Sequence, residues 1–241
     1  MDNVLEELGQ MNAFTREEFF NLLAVKESNT SDEAKAYALR KYLSENRIVR
    51  VAWNKYAVPN EKRIYSHNYS KESVRLAEYL KENYTDLSFQ IFEMTQLNSF
   101  VNHLIAHNTI FVSVENELID FVFDTVKEEY PGRVLLKPNV DEYYRYVQDD
   151  EIIITRLPSG TPKGFDETWK SRLEKILVDI AIDKLISKLV PSSELHSIFE
   201  GSYERYMLDR ATMMQYARRK GAEKKMEDFI SEYLPQMMER T

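Results

Sequence analysis

NSFVNHLIAHNTIFVSVENELIDFVFDTVKEEYPGRVLLKPNVDEYYRYV, residues 98–147, is the stretch whose pattern decides the fold. Its opening, NSFVNHLIAHN, places Phe100, Val101, Leu104 and Ile105 at the spacing of one helix face. TIFVSVE (109–115) then changes to a short, β-branched, almost unbroken apolar run, which predicts a buried strand. NELIDFVFDTVKEEY follows, with Leu118, Ile119, Val122, Phe123 and Val126 on one stripe. Pro131 and Gly132 stop it, and RVLLKP (133–138) is apolar again. A helix between two apolar strands is the crossover that parallel pairing requires. The pattern therefore predicts an α/β sheet and excludes a helical bundle.

Outward from this centre, Ser70 is placed to cap a helix running to about Asn83, and SFQIFEM (88–94) predicts the first strand of the sheet. DEYYRYV predicts a short tyrosine-rich helix and EIIITRLP (151–158) another buried strand, giving four strands in a mostly parallel sheet. Gly160-Thr161-Pro162-Lys163-Gly164 has the composition of a phosphate loop without its GxxxxGK[ST] spacing, and reads as a plain strand-to-helix loop. Beyond it the chain turns helical. TWKSRLEKILVDIAIDKLISKLV (168–190) predicts one helical run ended by Pro191, SSELHSIFEGSYERYM another, and 208–234 a long helix that is basic in its middle.

Toward the start, Val4, Leu5 and Leu8 make an apolar stripe. Thr15 with Glu18 three residues on is a capping box opening a second helix, and Ser31 caps a third to about Asn46. IVRVAWNKYAV (48–58) then gives two β-rich halves around Trp53-Asn54-Lys55. Three helices and a hairpin are the order of a winged helix-turn-helix. The expected fold class is therefore α/β, with a winged helix at 1–60, a polar linker at 61–68 and an α/β domain with a helical C-terminal extension at 69–241.

At 241 residues, 43% hydrophobic and 30% charged, the chain can bury a substantial core. It has no cysteine, which rules out disulfides, thiol nucleophiles and cysteine zinc sites. No basic-then-apolar leader opens it, and no run approaches the ~20 apolar residues of a membrane span, so a cytoplasmic protein without a membrane partner is expected. The sequons Asn29-Thr30-Ser31 and Asn68-Tyr69-Ser70 are then idle. A net charge of −8 opposes nucleic-acid binding by the whole surface. Positive charge is nevertheless gathered twice: six basic against three acidic residues over 31–58, and seven against three over 203–225. In a winged helix the third helix enters the major groove and the hairpin meets the backbone, which makes Lys35, Tyr37, Arg40, Lys41, Arg50 and Lys55 the candidate DNA contacts. Asp32 and Glu33 at the start of that helix oppose this. The plainer alternative is a solvated helix face on a domain that binds protein.

The N-terminal winged-helix pattern together with HLIAHNTIFVSVE, VLLKP, EYYRY, LPS and RLEKILVD resembles the AbiEi-type antitoxins of type IV toxin-antitoxin (abortive infection) systems. The resemblance covers nearly the whole chain and rests on packing motifs. It implies a domain that binds its own promoter DNA in transcription regulation and an α/β domain that neutralises a nucleotidyltransferase-type toxin; the expected mechanism is non-catalytic, without a cofactor. Glu174, Lys175 and Asp179 are the matched charged positions, with the structural role of an ion-paired helix face.

The enzymatic rival is a metal-dependent nuclease, with Glu93, Glu115, Lys137 and Glu151 near the ends of predicted strands; the residue two beyond Glu115 is Glu117, not the lysine such a site uses. His103 and His107 stand four apart on the predicted helix, without the glutamate of H-E-x-x-H or a third ligand, and read as polar helix-face residues. Tyr143, Tyr144 and Tyr146 can stack bases, or fill a core edge or a protein interface. Arg210, Arg218, Arg219 and Lys220, beside several methionines and tyrosines, suit an acidic partner, a nucleic-acid backbone or a solvated face. A pure protein-interaction adaptor is the third class of function considered.

Overall fold

The computed structural model describes residues 3–9, 11, 13–26, 31–45, 47–52, 54–58 and 64–237. Trp53, Asn46, the Asn29-Thr30 part of the first sequon and linker residues 61–63 lie outside the described residues. The chain forms two compact units, residues 1–64 with Glu204–Asp209, and Tyr65–Tyr203 with Arg210–Thr241.

The first unit runs α1 (Asn3–Gly9), β1 (Phe14–Thr15), α2 (Arg16–Lys26), α3 (Asp32–Ser44), β2 (Val49–Ala52) and β3 (Lys55–Ala57). Local chemistry sets its boundaries. The Thr15 and Glu18 side chains and backbone amides satisfy each other at 2.6 and 3.2 Å, and the Ser31 hydroxyl accepts from the Ala34 amide at 3.2 Å. Each such cap contributes about 1 kcal/mol by occupying a donor that the first turn leaves orphaned. The strands form an antiparallel sheet in the order β1-β3-β2, with a bulge between Arg50 and Ala52. Phe14, Phe19, Tyr42 and Tyr56 meet at the centre of its core, Phe19 edge-on to Tyr42. Met207 packs with Ile64 on Val49 and Ala57, so a piece of the distant helical region completes a unit that the sequence ended at residue 60. Lys35, expected on the open face of α3, is mostly covered and ion-paired with Asp32 at 3.2 Å.

The second unit contains α4 (Lys71–Asn83), β4 (Phe89–Glu93), β5 (Thr109–Val114), α5 (Ile119–Glu129), β6 (Val134–Leu136), α6 (Val140–Tyr146) and β7 (Glu151–Arg156). The helical region follows as α7 (Leu173–Ile182), α8 (Ile186–Leu189), α9 (Leu195–Arg205), α10 (Arg210–Arg219) and α11 (Glu223–Tyr233). The sheet is mixed, in the order β4-β5-β7-β6. β5, β7 and β6 run parallel, and β4 runs antiparallel to β5 with Glu93 opposite Ile110. The crossover through α5 is present, but it carries the chain past one strand position, and β7 returns through α6 to fill the gap. Ile110, Val112, Val114, Ile152 and Ile154 share one buried cluster with Leu76, Leu80, Val122 and Val126 of α4 and α5. Phe111, Ser113, Ile153 and Thr155 alternate with them and face a cavity toward α7 and α10.

Three predicted helices are corrected. Residues 100–108 are irregular after a 3-10 segment, Met94–Ser99. The Asn98 amide holds that loop by accepting from the Ile105 N–H at 2.7 Å and donating to the Ile105 carbonyl at 3.2 Å, a local alternative to helix hydrogen bonds. The run over 168–190 breaks at Asp183, whose carboxylate accepts from the amides of Leu185 and Ile186 and so opens α8. The long helix over 208–234 is split by Gly221 at φ +68, with the Ala222 amide returning to the Ala217 carbonyl as in a glycine C-cap. Among the described residues no helix is long and apolar enough to cross a membrane.

Candidate functional site

On the first unit, the side chains of Tyr37, Arg40 and Lys41 reach solvent from α3, and Arg50 and Lys55 are exposed on the hairpin strands. Lys41 lies 3.9 Å from Glu45, an exposed pair that costs little to exchange for another partner. Arg40 donates to its own helix at the Ala36 carbonyl. Lys35 instead lines a cavity of about 570 Å³ with Arg16, Glu17, Asp32 and Arg50.

The four groups of the nuclease reading are not brought together. Because β4 is antiparallel, Glu93 lies beside the start of β5, at the end of the sheet where Glu151 opens β7 opposite Thr109. Glu115 and Lys137 follow the far ends of β5 and β6. Each carboxylate also has a structural occupation. Glu93 is buried and accepts from His67, Ser70 and Ser73. Glu151 accepts from the Gln148 amide, and its burial pushes its pKa up. Glu115 accepts from the Ser88 amide. His103 and His107 sit in the irregular loop, not on a helix, and bond to Glu194 and Asp149 respectively. Tyr143 is buried with its hydroxyl 2.8 Å from that of Thr109, whereas Tyr144 and Tyr146 are exposed. Among the described residues no group of three His, Asp or Glu side chains is placed to hold a metal ion.

The basic stretch of α10 is likewise divided. Arg218 makes a two-pronged pair with Glu223, Lys220 turns inward to Asp179 and Asp183, and Arg219 is exposed beside Gly160. Arg210 begins the helix, more than two turns away.

What the structure does assemble is a charged cleft of about 480 Å³ on the second unit. Its floor is the sheet face of Phe111, Ser113, Ile153 and Thr155; its rim is formed by Lys137 and Arg156, just beyond or at the carboxyl ends of β6 and β7. One wall comes from α7. This helix is apolar almost all round and buried along nine of its ten residues, as a helix packed on every side must be. Within it Lys175 donates to Asp179 at 2.8 Å, both nearly inaccessible to water. The second Asp179 oxygen accepts from Lys220 at 2.7 Å and from the Tyr216 hydroxyl at 3.1 Å. Burial opposes ionisation of Asp179, but the two ammonium groups outweigh it and hold its pKa below the ordinary aspartate value. The same pairing raises Lys220 despite burial, and burial next to Asp179 pushes the Tyr216 phenol well up. Glu174, one residue away on the chain, points elsewhere and pairs with Arg172 at 2.7 Å. The matched trio in LEKILVD is thus two separate ion pairs. A Lys and an Asp four apart inside an otherwise apolar helix was the sequence signal for a buried pair; the arrival of Lys220 and Tyr216 had none.

The fold and cleft define a mixed α/β protein with a ligand-sized basic cleft beside its parallel strands and a separate small unit of three helices and a three-stranded sheet. The chain belongs to the family of unknown function DUF6577, whose model matches residues 35–236. No curated protein matches it.

Proposed function

We propose that this protein is a DNA-binding regulator of the antitoxin type: its first unit is a winged helix that binds promoter DNA, and its α/β unit engages a nucleotidyltransferase-type toxin. The observation that carries the DNA half is topological. Helix, strand, helix, helix and hairpin, with the lone strand β1 pairing on β3, is the winged-helix order, and it leaves α3 with Tyr37, Arg40 and Lys41 outward and the hairpin strands with Arg50 and Lys55. Lys35 contributes less than its position in the sequence suggests, since Asp32 already neutralises it. The toxin half rests on the resemblance of HLIAHNTIFVSVE, VLLKP and RLEKILVD to AbiEi-type antitoxins. The nuclease reading is disfavoured by the placement of Glu93 and Glu115 at opposite ends of the sheet.

The DNA half is tested by fluorescence anisotropy on the DNA upstream of the reading frame, titrated over a range of salt. Replacing Arg40, Lys41, Arg50 and Lys55 together by alanine is expected to reduce the slope of log affinity against log salt by about 0.9 for each phosphate contact removed. Binding and slope unchanged in that variant would refute the assignment. The toxin half is tested by asking whether a nucleotidyltransferase reading frame adjoins this one and by co-expressing the two. Rescue of growth that survives the quadruple substitution is the expected result, and failure of the unaltered chain to rescue counts against it.

A further inference from the structure

The cleft of the second unit holds more positive charge than its own carboxylates neutralise. Six cationic and two anionic side chains line it, on a chain whose net charge is −8. Lys175 and Lys220 are accounted for by Asp179 and Asp183. Lys137, Arg156, Lys184 and Arg219 have no carboxylate within ion-pair distance among the described residues. Elsewhere on the same unit Arg75, Lys81, Arg133, Lys170 and Arg172 each have a carboxylate oxygen 2.6 to 3.3 Å away, while Lys71, Lys127 and Lys163 have none among the described residues. The cleft is set apart by bringing four unpaired cations to one cavity. Arg218 and Arg219 are adjacent in sequence, yet Glu223 takes the first and the cleft receives the second.

Converging like charges repel, and a surface keeps them together at a cost that a bound anion removes. Three further features suit such an anion. The cleft covers the sheet face and its rim reaches the carboxyl ends of the parallel strands β6 and β7, the end at which open α/β sheets place their ligands, and about 480 Å³ is the size of a small-molecule site. The Ser113 and Thr155 hydroxyls, 3.2 Å apart on the floor, supply neutral donors beside the cations. Lys137 adopts φ +43, a left-handed conformation costing a non-glycine residue about 1–2 kcal/mol, and its amide is anchored to the Ile154 carbonyl at 3.0 Å. That turn sets the lysine at the rim. The inner network of Lys175, Asp179, Lys220 and Tyr216 fixes α7 against α10, so the wall is formed before any ligand arrives.

We propose that this cleft binds a small molecule carrying a phosphate or diphosphate group, with Arg156 and Arg219 as the bidentate contacts and Lys137 and Lys184 as point charges. A guanidinium fork matches two phosphate oxygens at once, whereas an ammonium contributes charge with less direction. The site is independent of the DNA reading, because all four residues belong to the α/β unit.

The test is isothermal titration of the full chain, at low ionic strength, with inorganic pyrophosphate, with ADP and with adenosine. One saturable site per chain for pyrophosphate and ADP, and none for adenosine, is expected. Arg156→Ala and Arg219→Ala should each weaken binding about tenfold or more, consistent with the loss of a charge-assisted contact. Lys127→Ala, on α5 across the sheet, should leave it unchanged, and melting temperatures show that the variants remain folded. Tighter binding of ADP than of pyrophosphate identifies a nucleotide as the ligand class, and equal binding identifies the diphosphate group alone; both support the site. No saturable heat with either phosphate probe, or binding that Arg156→Ala and Arg219→Ala leave unaltered, overturns it.

Discussion

Replacing Asp179 with alanine is expected to destabilise the α/β unit by about 3–5 kcal/mol, the cost of leaving a buried ion without its partner. Lys175 has nowhere else to go: its side chain is 3% exposed and Asp179 is its ion-pair partner at 2.8 Å. Lys220 keeps Asp183 at 3.4 Å and reaches water, so it suffers less. Tyr216 loses the acceptor of its buried hydroxyl. The origin of the cost is tested by the double substitution Lys175→Met with Asp179→Leu, which removes both charges while retaining bulk. Urea denaturation should place the double variant nearer to the unaltered protein than Asp179→Ala. A double variant at least as unstable as the single one would mean that packing or the remaining hydrogen bonds, not an uncompensated lysine, dominate at this position.

Glu93→Gln is the second large effect, and it carries a pH signature. The Glu93 carboxylate is 1% exposed and accepts from the His67 ring nitrogen at 2.8 Å, the Ser70 amide at 2.9 Å, and the Ser70 and Ser73 hydroxyls at 2.7 and 2.5 Å. Burial alone would favour its neutral form. The four donors outweigh burial and lower its pKa from 4.5 to about 2. A carboxylate with a depressed folded-state pKa stabilises the protein fully above its unfolded value, and the contribution fades as pH falls toward 2. For a shift of this size that contribution is about 3 kcal/mol. Glutamine retains the shape but neither the charge nor the second acceptor oxygen. Denaturation at pH 7, 5 and 3 should show Glu93→Gln about 2–3 kcal/mol less stable at pH 7, with the difference narrowing below pH 4.5. A difference that stays constant down to pH 3 would rule out an ionised Glu93 as the stabilising species.

These two residues illustrate where a single chain can be read and where it cannot. Asp179 was legible as half of an i, i+4 pair because that geometry is local to one helix. Its depth came from the packing of α7 on every side. Glu93 was legible only as an acidic strand end, because its donors come from residues 67–73 and a strand reveals its direction only through its neighbour. The same limit explains why the nuclease constellation is not assembled: Glu93, Glu115 and Lys137 close three strands at one end of the sheet if all run parallel, and the reversal of β4 carries Glu93 to the other end, where Glu151 opens β7.

The sequence by itself determined the features that arise within a few residues: the apolar runs of β4, β5 and β7, the stripe of α5, and the caps at Thr15, Ser31 and Ser70, since hydrophobic periodicity and capping are satisfied locally. The tertiary structure alone decided that β7 lies between β5 and β6, that residues 204–209 complete the first unit, and that Lys137, Arg156, Lys184 and Arg219 meet at one cleft. Those arrangements depend on which distant surfaces bury one another. That competition is settled by the whole core, and no local pattern records it.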